Sequence, residues 1–357
     1  MIPIKLLTTI DAETLLLTPL PATKFVIERL LPQGLHILAG APKAGKSWLS
    51  LWLCLLVSRG EPVWGFPSTA GTVLYLCLED SFARIQSRLF QITEDAPPTL
   101  HFANLAGNIG GGLEEQIVDF IQQHPDTQLV VIDTLQKVRL PGIAANPYAS
   151  DYQDLAILKN LADRLHIAIL LIHHLRKMTD EDPFNMISGS AGISGATDSN
   201  FVLKPKKRGS TQATLYCTGR DIEYQEYLLQ FDSEKHIWEM VSDNATAQHQ
   251  QVDPLVELLI GFLKELKTFD GSATQLSEQL EQQTGETILP SVLSKKLVRY
   301  AGELSKAGIS VATSRTRDSR LLHIRCDGSD GNDGKIAVLP AADLLSQLSQ
   351  PSHLSRQ

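Results

Sequence analysis

A glycine-rich segment, GAPKAGKSW at 40–48, contains residue types that bind phosphate. Gly40, Gly45, Lys46 and Ser47 have the spacing G-x-x-x-x-G-K-[ST]. In this pattern backbone N–H groups surround a polyphosphate, the lysine contacts its terminal phosphates and the hydroxyl ligates Mg²⁺. The candidate nucleotide-binding residues are Gly40, Ala41, Pro42, Lys43, Ala44, Gly45, Lys46, Ser47 and Trp48.

The residues on either side predict the elements that position this loop. GLHILAG at 34–40 is a short apolar run and predicts a buried strand. KSWLSLWLCLLVSRG at 46–60 is long, apolar and ends in glycine, which predicts a buried helix. A strand, a glycine-rich loop and a helix together direct a helix N-terminus at phosphate. A chance match that binds nothing is the alternative, and both flanks argue against it.

Two carboxylates are candidates for the chemistry of a nucleotide hydrolase. Asp133 ends an apolar strand, the position that contacts Mg²⁺ in enzymes with such a loop. Glu79 ends the strand after the loop helix and is the candidate base that orients the attacking water. A parallel sheet brings both strand ends to one edge. Alternatively, Glu79 or Asp80 caps the helix that begins at SFARIQSRL.

The order of elements predicts an α/β fold. Short apolar runs alternate with helical patterns, which indicates a mostly parallel sheet with helices on both faces. The runs are TVLYLCLED at 72–80, LHFANL at 100–105, QLVVIDT at 128–134, AILLIHH at 168–174 and NFVLK at 200–204. Residues 211–240 contain three strand patterns without intervening helices, so we expect an antiparallel extension at one edge.

Composition limits the class of protein. The chain has 357 residues, of which 43% are hydrophobic and 20% charged, as in an ordinary soluble protein of about two domains. Four scattered cysteines predict free thiols and a cytoplasmic protein. The longest uncharged run is too short for a membrane span, so we expect no membrane role. A net charge of −8 argues against general coating of nucleic acid, although a local basic face remains compatible with it.

Four ordered motifs carry a resemblance to a known family. GLHILAGAPKAGKSWLSL, VLYLCLED, LVVIDTLQKV and LLIHHLRK resemble the RecA-like AAA ATPases of plasmids, phages and integrated elements, including the plasmid RepA hexameric replicative helicases. The resemblance covers residues 16–240. It implies a RecA-like core that uses ATP and Mg²⁺, with Lys46 and Ser47 on the phosphates and metal, Asp133 as the metal aspartate and Glu79 as the catalytic base.

Two further segments gain a role from the resemblance. An imidazole at the end of LLIHH could bond a γ-phosphate, and DnaB-type and phage ring helicases place their sensor at the position of His174; we expect His173 to be a core residue. In KPKKRGSTQ at 204–212, K-x-R-G resembles the DnaB-type motif that reaches a neighbouring subunit's ATP, which gives Lys206 and Arg208 that role. This implies a homo-oligomer, by family analogy a hexamer. A solvated basic turn is the alternative.

The loop at 178–198 implies contact with single-stranded DNA, because the equivalent loop of these families faces a central channel. Long loops at this edge of such a sheet are usually functional. This copy is acidic at Asp180 to Asp182, so we do not expect those residues to contact phosphate.

The C-terminal part predicts a second domain. We expect an amphipathic helix at 253–269, a helix at 271–285 with a capping box from Ser272 to Gln275, a third helix at 289–309 and a hairpin at 310–326. This order resembles a winged helix-turn-helix, which would bind duplex DNA. The candidate DNA-binding residues are Lys295, Lys296, Arg299, Arg315, Arg317 and Arg320. A protein-docking module is the alternative.

The predicted organisation is therefore a RecA-like ATPase domain at 1–241, with an N-terminal extension at 1–15, a linker at 242–252, a winged-helix domain at 253–326 and a disordered tail at 327–357. Two functions remain open. One is an oligomeric motor on single-stranded DNA, a replicative helicase of a plasmid, phage or integrated element. The other is an ATP-controlled DNA-binding loader, recombination mediator or regulator. A small-molecule kinase is disfavoured because no arginine-rich lid is visible.

Overall fold

The computed structural model describes residues 9–20, 23–140, 147–178, 180–244, 254–315 and 320–326. They form two compact units: the described residues within 23–247, and those within 1–22 and 248–357. The predicted tail at 327–357 and residues 245–252 of the predicted linker lie outside the described residues. No helix in the described ranges is long and apolar enough to cross a membrane.

The larger unit follows helix α1 (Ala12–Leu16), which belongs to the smaller one. In chain order it contains β1 (Phe25–Ile27), β2 (Leu31–Pro32), β3 (Gly34–Gly40), α2 (Lys46–Arg59), β4 (Val73–Cys77), α3 (Phe82–Ile92), β5 (Leu100–Ala103), α4 (Leu113–Gln123), β6 (Leu129–Asp133), α5 (Leu135–Val138), α6 (Pro147–Leu165), β7 (Ala168–His174), a 3-10 helix (Pro183–Met186), α7 (Ala191–Ala196), β8 (Ser199–Pro205), β9 (Gln212–Gly219), β10 (Gln225–Asp232) and β11 (Ile237–Asp243).

The central sheet confirms the predicted fold class. Its nine strands have the order β11-β10-β9-β8-β3-β7-β6-β4-β5. The pairs from β8 to β5 are parallel, and β9, β10 and β11 extend the sheet with antiparallel pairs. In this register Gly40 lies opposite His174 and Leu203, and Cys77 lies opposite Asp133. The candidate residues at the strand ends therefore share one edge.

The parallel strands are buried on both faces because helices cover both. Leu38 and Leu170 pack into the core that contains α2, whereas Ile37 and Leu171 pack into the core on the other face, which contains α6. This two-sided burial explains why these strands read as continuous apolar runs rather than alternating ones. It also made them recognisable in the sequence.

Helix α2 is apolar around most of its circumference because it contacts structure on more than one side. It packs on β4 and β6 of the sheet and also contacts β11 at the antiparallel end. Gly45 and Gly60, both in the left-handed region, bound the helix. Strand β11 runs to Asp243, two residues into the segment predicted as a linker, because Tyr227 of β10 pairs with Asp243.

The smaller unit continues with α8 (Pro254–Leu266), β12 (Thr268–Ser272), α9 (Ala273–Thr284), α10 (Pro290–Arg299), α11 (Ala301–Lys306), β13 (Ile309–Arg315) and β14 (Arg320–Cys326). Its antiparallel sheet has the order β12-β14-β13. The predicted capping box is present, since Ser272 and Gln275 each bond the other's backbone. Strand β12 was missed because it is short and polar. The single helix predicted at 289–309 is wrong: two helices meet at Tyr300, whose backbone departs from helical angles where its side chain is buried.

A buried histidine makes the stability of this fold depend on pH. His36 of β3 is fully buried, and its Nε2 lies 2.8 Å from the carbonyl oxygen of Pro32. Burial lowers the pKa of His36 to about 4. The nearby Asp198 carboxylate raises this pKa and partly opposes the effect of burial, whereas the charge of Lys159 lowers it further. The folded protein therefore holds this imidazole neutral at pH values where the unfolded chain protonates it.

We expect the free energy of unfolding to fall as the pH drops through 6.5 towards 4, because the unfolded chain then binds a proton that the folded chain does not. At pH 5 this linkage is worth about 2 kcal/mol. Urea unfolding at pH 7 and pH 5 measures how much unfolding free energy is lost between the two pH values. This loss should be about 2 kcal/mol smaller in His36→Gln than in the wild type. The exposed His166→Asn is the control and should keep the wild-type difference. An equal loss in all three proteins would contradict the prediction.

Candidate nucleotide-binding site

The glycine-rich loop connects β3 to α2 at the carboxyl edge of the sheet. Close packing restricts its two motif glycines to glycine. A Cβ on Gly40 would lie 2.9 Å from the carbonyl oxygen of Leu203, and one on Gly45 would lie 2.8 Å from the ring of Trp238. Gly45 has φ +91° and precedes the first turn of α2. The loop thus has the strand, turn and helix N-terminus that phosphate binding requires.

Lys46 is buried in the hollow of this loop. Its Nζ donates hydrogen bonds to the carbonyl oxygens of Gly40, at 2.8 Å, and Ala41, at 3.1 Å. Burial lowers the pKa of Lys46 to about 8, while the carboxylates of Asp133 and Glu79 act in the opposite direction. A buried cation with only carbonyl partners is stabilised by any anion that enters the loop, such as a phosphate group.

Asp133 connects the loop helix to the sheet. Its Oδ2 accepts hydrogen bonds from Ser47 Oγ and from Tyr75 OH, each 2.8 Å long. The carboxylate is buried, and burial raises its pKa against the effect of these two hydrogen bonds. A hydroxyl and a carboxylate at this spacing are hard oxygen donors, so Ser47 and Asp133 fit a Mg²⁺ ion.

Glu79 lies in the turn between β4 and α3 and is exposed. Its Oε1 accepts a hydrogen bond of 3.1 Å from Thr134 Oγ1, which follows Asp133. The alternative role in helix capping is wrong for both carboxylates. Ser81 caps α3, and Asp80 instead pairs with Arg84 and Arg88. Glu79 therefore remains free to contact a ligand at the strand ends.

The two histidines at the end of β7 differ in their surroundings. His173 is buried, and its Nε2 lies 3.0 Å from the carbonyl oxygen of Ser188. Burial lowers the pKa of His173. His174 is half-buried and lies opposite Gly40 in the sheet. Within the described residues, Nδ1 is buried without a hydrogen-bond partner in both histidines, so what separates them is the greater exposure of the His174 ring.

The basic turn lies at the same edge. Lys206 and Arg208 follow β8, the neighbour of β3, and both are exposed in a turn that contains Gly209 at φ +79°. In the part of the chain that the structure describes, neither side chain has an ion-pair partner. The loop after β7 begins nearby with Arg176, which pairs with Asp180 at 3.4 Å.

The candidate DNA-binding residues of the smaller unit are not equally available. Lys295 and Arg299 are exposed on α10. Lys296 is held within the unit, since its Nζ lies 3.0 Å from Tyr300 OH and 5.2 Å from the centre of that ring. Arg317 and the side chains of Arg315 and Arg320 lie outside what is described.

Three residues at the site carried no usable signal in the sequence. Tyr75 is one of several consecutive apolar residues in a buried strand, and Thr134 follows Asp133 without belonging to a recognisable motif. Trp238, whose Nε1 donates to the carbonyl oxygen of Gly45 at 3.2 Å, is 193 residues away along the chain. Only strand pairing brings these side chains to the loop.

Residues 3–180 match the family described as AAA domain, which is just under half of the chain. Together with the loop geometry, this match supports a P-loop ATPase. No curated protein matches the chain.

Two solved structures are similar in part. One is described as the ATPase domain of G40P; it is 14% identical, covers 59% of this chain and 85% of its own, and has a TM-score of 0.49. The other is a DnaB-like replicative helicase described with its interactions with primase; it is 15% identical, covers 60% of this chain and 59% of its own, and has a TM-score of 0.48. At this distance neither carries information about function.

We expect Gly45→Ala to destabilise the protein more than Gly110→Ala does. Both glycines have positive φ, which costs alanine about 1 kcal/mol, but only at Gly45 would the new methyl meet Trp238, whereas Gly110 faces open space. Displacing the ring should raise the total loss to about 2 to 4 kcal/mol. Urea unfolding measures the difference, and a shifted tryptophan emission should accompany it in Gly45→Ala alone. Equal losses would mean that the Trp238 contact is not tight.

Proposed function

We propose that this chain is an ATP-hydrolysing, oligomeric motor that acts on single-stranded DNA, in the class of replicative helicases of plasmids, phages or integrated elements. One observation carries the proposal: the loop cation, a metal-type carboxylate and hydroxyl, an exposed second carboxylate and a basic turn all meet at one sheet edge. A protein that only held a nucleotide would not need the last two.

Each residue has a role that its surroundings support. Lys46 neutralises charge on the terminal phosphates, and its burial means that little water competes. Ser47 and Asp133 would hold Mg²⁺, which would neutralise charge on the phosphate oxygens. Glu79 accepts a proton from the attacking water, and its hydrogen bond from Thr134 orients the carboxylate. The position of His174, half-buried at the end of β7 and opposite Gly40, supports a role in reporting the presence of the γ-phosphate.

Lys206 and Arg208 support assembly into a ring. Their exposure lets them reach a site on a second copy of the chain, as the resemblance to DnaB-type helicases implies for a hexamer. An arginine supplied in this way stabilises charge in the transition state and is worth about 10³ to 10⁵ in rate in GTPases. A single chain would then be a poor ATPase.

A second candidate function is an ATP-controlled loader, recombination mediator or regulator. The acidic residues Asp180 and Asp182 favour this function. Asp180 forms an ion pair with Arg176, and the two carboxylates repel the phosphates of DNA in the loop that is proposed to face the channel. Such a protein would hydrolyse ATP slowly and would bind DNA without moving along it.

We infer that the smaller unit is a winged helix that binds duplex DNA. Its order of helix, strand, further helices and a β-hairpin, with a three-stranded antiparallel sheet, supports this inference. Helix α10 then enters the major groove with Lys295 and Arg299 exposed. Lys296 is a weaker candidate because Tyr300 engages it.

We expect Glu79→Gln and Arg208→Ala each to reduce steady-state ATP hydrolysis by about 10² or more, because one lacks the base and the other the neighbouring cation. Mixed in equal amounts, the two inactive proteins should regain about a quarter of the wild-type rate, since a quarter of the interfaces in a head-to-tail ring would carry both intact groups. Lys207→Ala, in the same turn, is the control and should keep wild-type activity.

The outcome separates the two functions. Complementation on mixing, with a rate that rises with protein concentration and with single-stranded DNA, supports the motor. Slow turnover that ignores DNA and all three substitutions would contradict it and leave the regulator.

DNA binding by the smaller unit has its own test. We expect Lys295→Ala/Arg299→Ala to weaken binding to duplex DNA and to reduce the slope of log affinity against log salt by about 2, because each lost phosphate contact contributes about 0.9. Fluorescence anisotropy of labelled duplex DNA, measured at salt concentrations from about 50 to 300 mM, gives this slope. Lys264→Ala, an exposed cation on α8, is the control. A protein-docking module would show no dependence on Lys295 or Arg299.

A further inference from the structure

The turn that carries Glu79 is held by the residue that follows it. Glu79 itself is exposed, and its hydrogen bond to Thr134 is long. The Asp80 side chain is only 11% exposed and pairs with Arg84 at 2.7 Å and with Arg88 at 2.5 Å. Because adjacent residues share a peptide unit, whatever holds Asp80 also limits where the Glu79 carboxylate can lie.

The two arginines are not equivalent. Arg84 is 62% exposed, so its pair with Asp80 is screened by water and worth little. Arg88 is 21% exposed, and its guanidinium lies 5.6 Å from the centre of the Trp48 ring. A cation placed over an indole and bonded to a mostly buried carboxylate is held in one position by two partners.

Trp48 connects this pair to the phosphate loop. It lies in the first turn of α2, directly after Ser47, whose hydroxyl bonds Asp133. Asp133 precedes Thr134, and Thr134 bonds Glu79. The contacts therefore form a closed circuit through four elements: α2, the end of β6, the turn after β4 and α3, which carries Arg88. Arg88 provides the link that closes it.

We propose that Arg88 is a positioning residue that fixes Glu79 relative to the phosphate loop. The proposal rests on the proposed function, in which Glu79 is the base for ATP hydrolysis. On the opposite side of the turn, the N–H of Leu78 donates to the carbonyl oxygen of Asp133 at 2.8 Å and fixes the backbone before Glu79. Arg88 fixes the backbone after Glu79, through its ion pair with Asp80. The Glu79 carboxylate is therefore restrained on both sides along the chain.

The test is a double-mutant cycle in steady-state ATP hydrolysis with the full-length chain. We expect Arg88→Gln to lower kcat about tenfold with KM within about twofold, because Arg88 is not itself one of the candidate nucleotide-binding residues and its ion pair is with the turn that carries Glu79. The matched control Arg84→Gln, which removes the other arginine from the same carboxylate, should stay within about twofold of the wild type. Added to Glu79→Gln, Arg88→Gln should have almost no further effect, because both changes disable one group.

A second variant protects the test from a folding defect. Asp80→Asn is isosteric and weakens the same link, so it should lower kcat to a similar extent and should also have no effect beyond that of Glu79→Gln. Urea unfolding of each variant checks that it is folded. An undiminished kcat in either Arg88→Gln or Asp80→Asn would overturn the proposal, as would an unchanged tenfold effect in the Glu79→Gln background.

Failure of the proposed function would look different. A wild-type protein that neither binds nor hydrolyses ATP, and a Lys46→Ala variant indistinguishable from it, would refute the ATPase assignment itself. If the wild type hydrolyses ATP and Glu79→Gln does not, while Arg88→Gln is as active as Arg84→Gln, only the positioning role of Arg88 is refuted.

Discussion

The hydrogen bond from Ser47 Oγ to the buried carboxylate of Asp133 is the contact on which the rest of the site depends. It joins the first turn of the loop helix to the end of β6, a strand that is two places away from β3 in the sheet. A second hydrogen bond, from Tyr75 OH, holds the same oxygen from the neighbouring strand. A buried carboxylate is costly unless it is bonded in this way, so the pair is stable only when β3, β4 and β6 are in register. The register in turn brings Glu79 and His174 to the edge where Lys46 lies.

The antiparallel end of the sheet belongs to the site as much as the parallel part does. Strand β11 places Trp238 against Gly45, and its ring leaves no room for a side chain there. Helix α2 therefore lies between two parts of one sheet and is apolar on nearly every side. Both ends of the glycine-rich loop are fixed by the backbone of β8 and the indole of β11, so the loop is shaped before any ligand arrives. Preformed donors of this kind need little reorganisation when charge develops.

The buried and the exposed groups of the site have different proposed roles. Lys46 and Asp133 are buried and held by several bonds, as expected of groups that bind charge. Glu79, Lys206 and Arg208 are exposed, and the first depends on contacts around its turn for orientation. An arrangement that is rigid at the phosphates and open beyond them fits a site that a second copy of the chain completes.

The sequence alone determined the fold class, because strands buried on both faces must be continuous apolar runs and a phosphate loop must be rich in glycine. It also located the loop residues, Asp133 and Glu79, since the carboxyl ends of parallel strands meet at one edge. It did not reveal the break between two helices at Tyr300, or strand β12, whose pairing with β14 is not local. Tyr75, Trp238 and Arg88 became functional candidates only in the tertiary structure. Their contacts with Asp133, Gly45 and Trp48 join residues far apart in the chain, and such distances are set by strand order and helix packing rather than by local pattern.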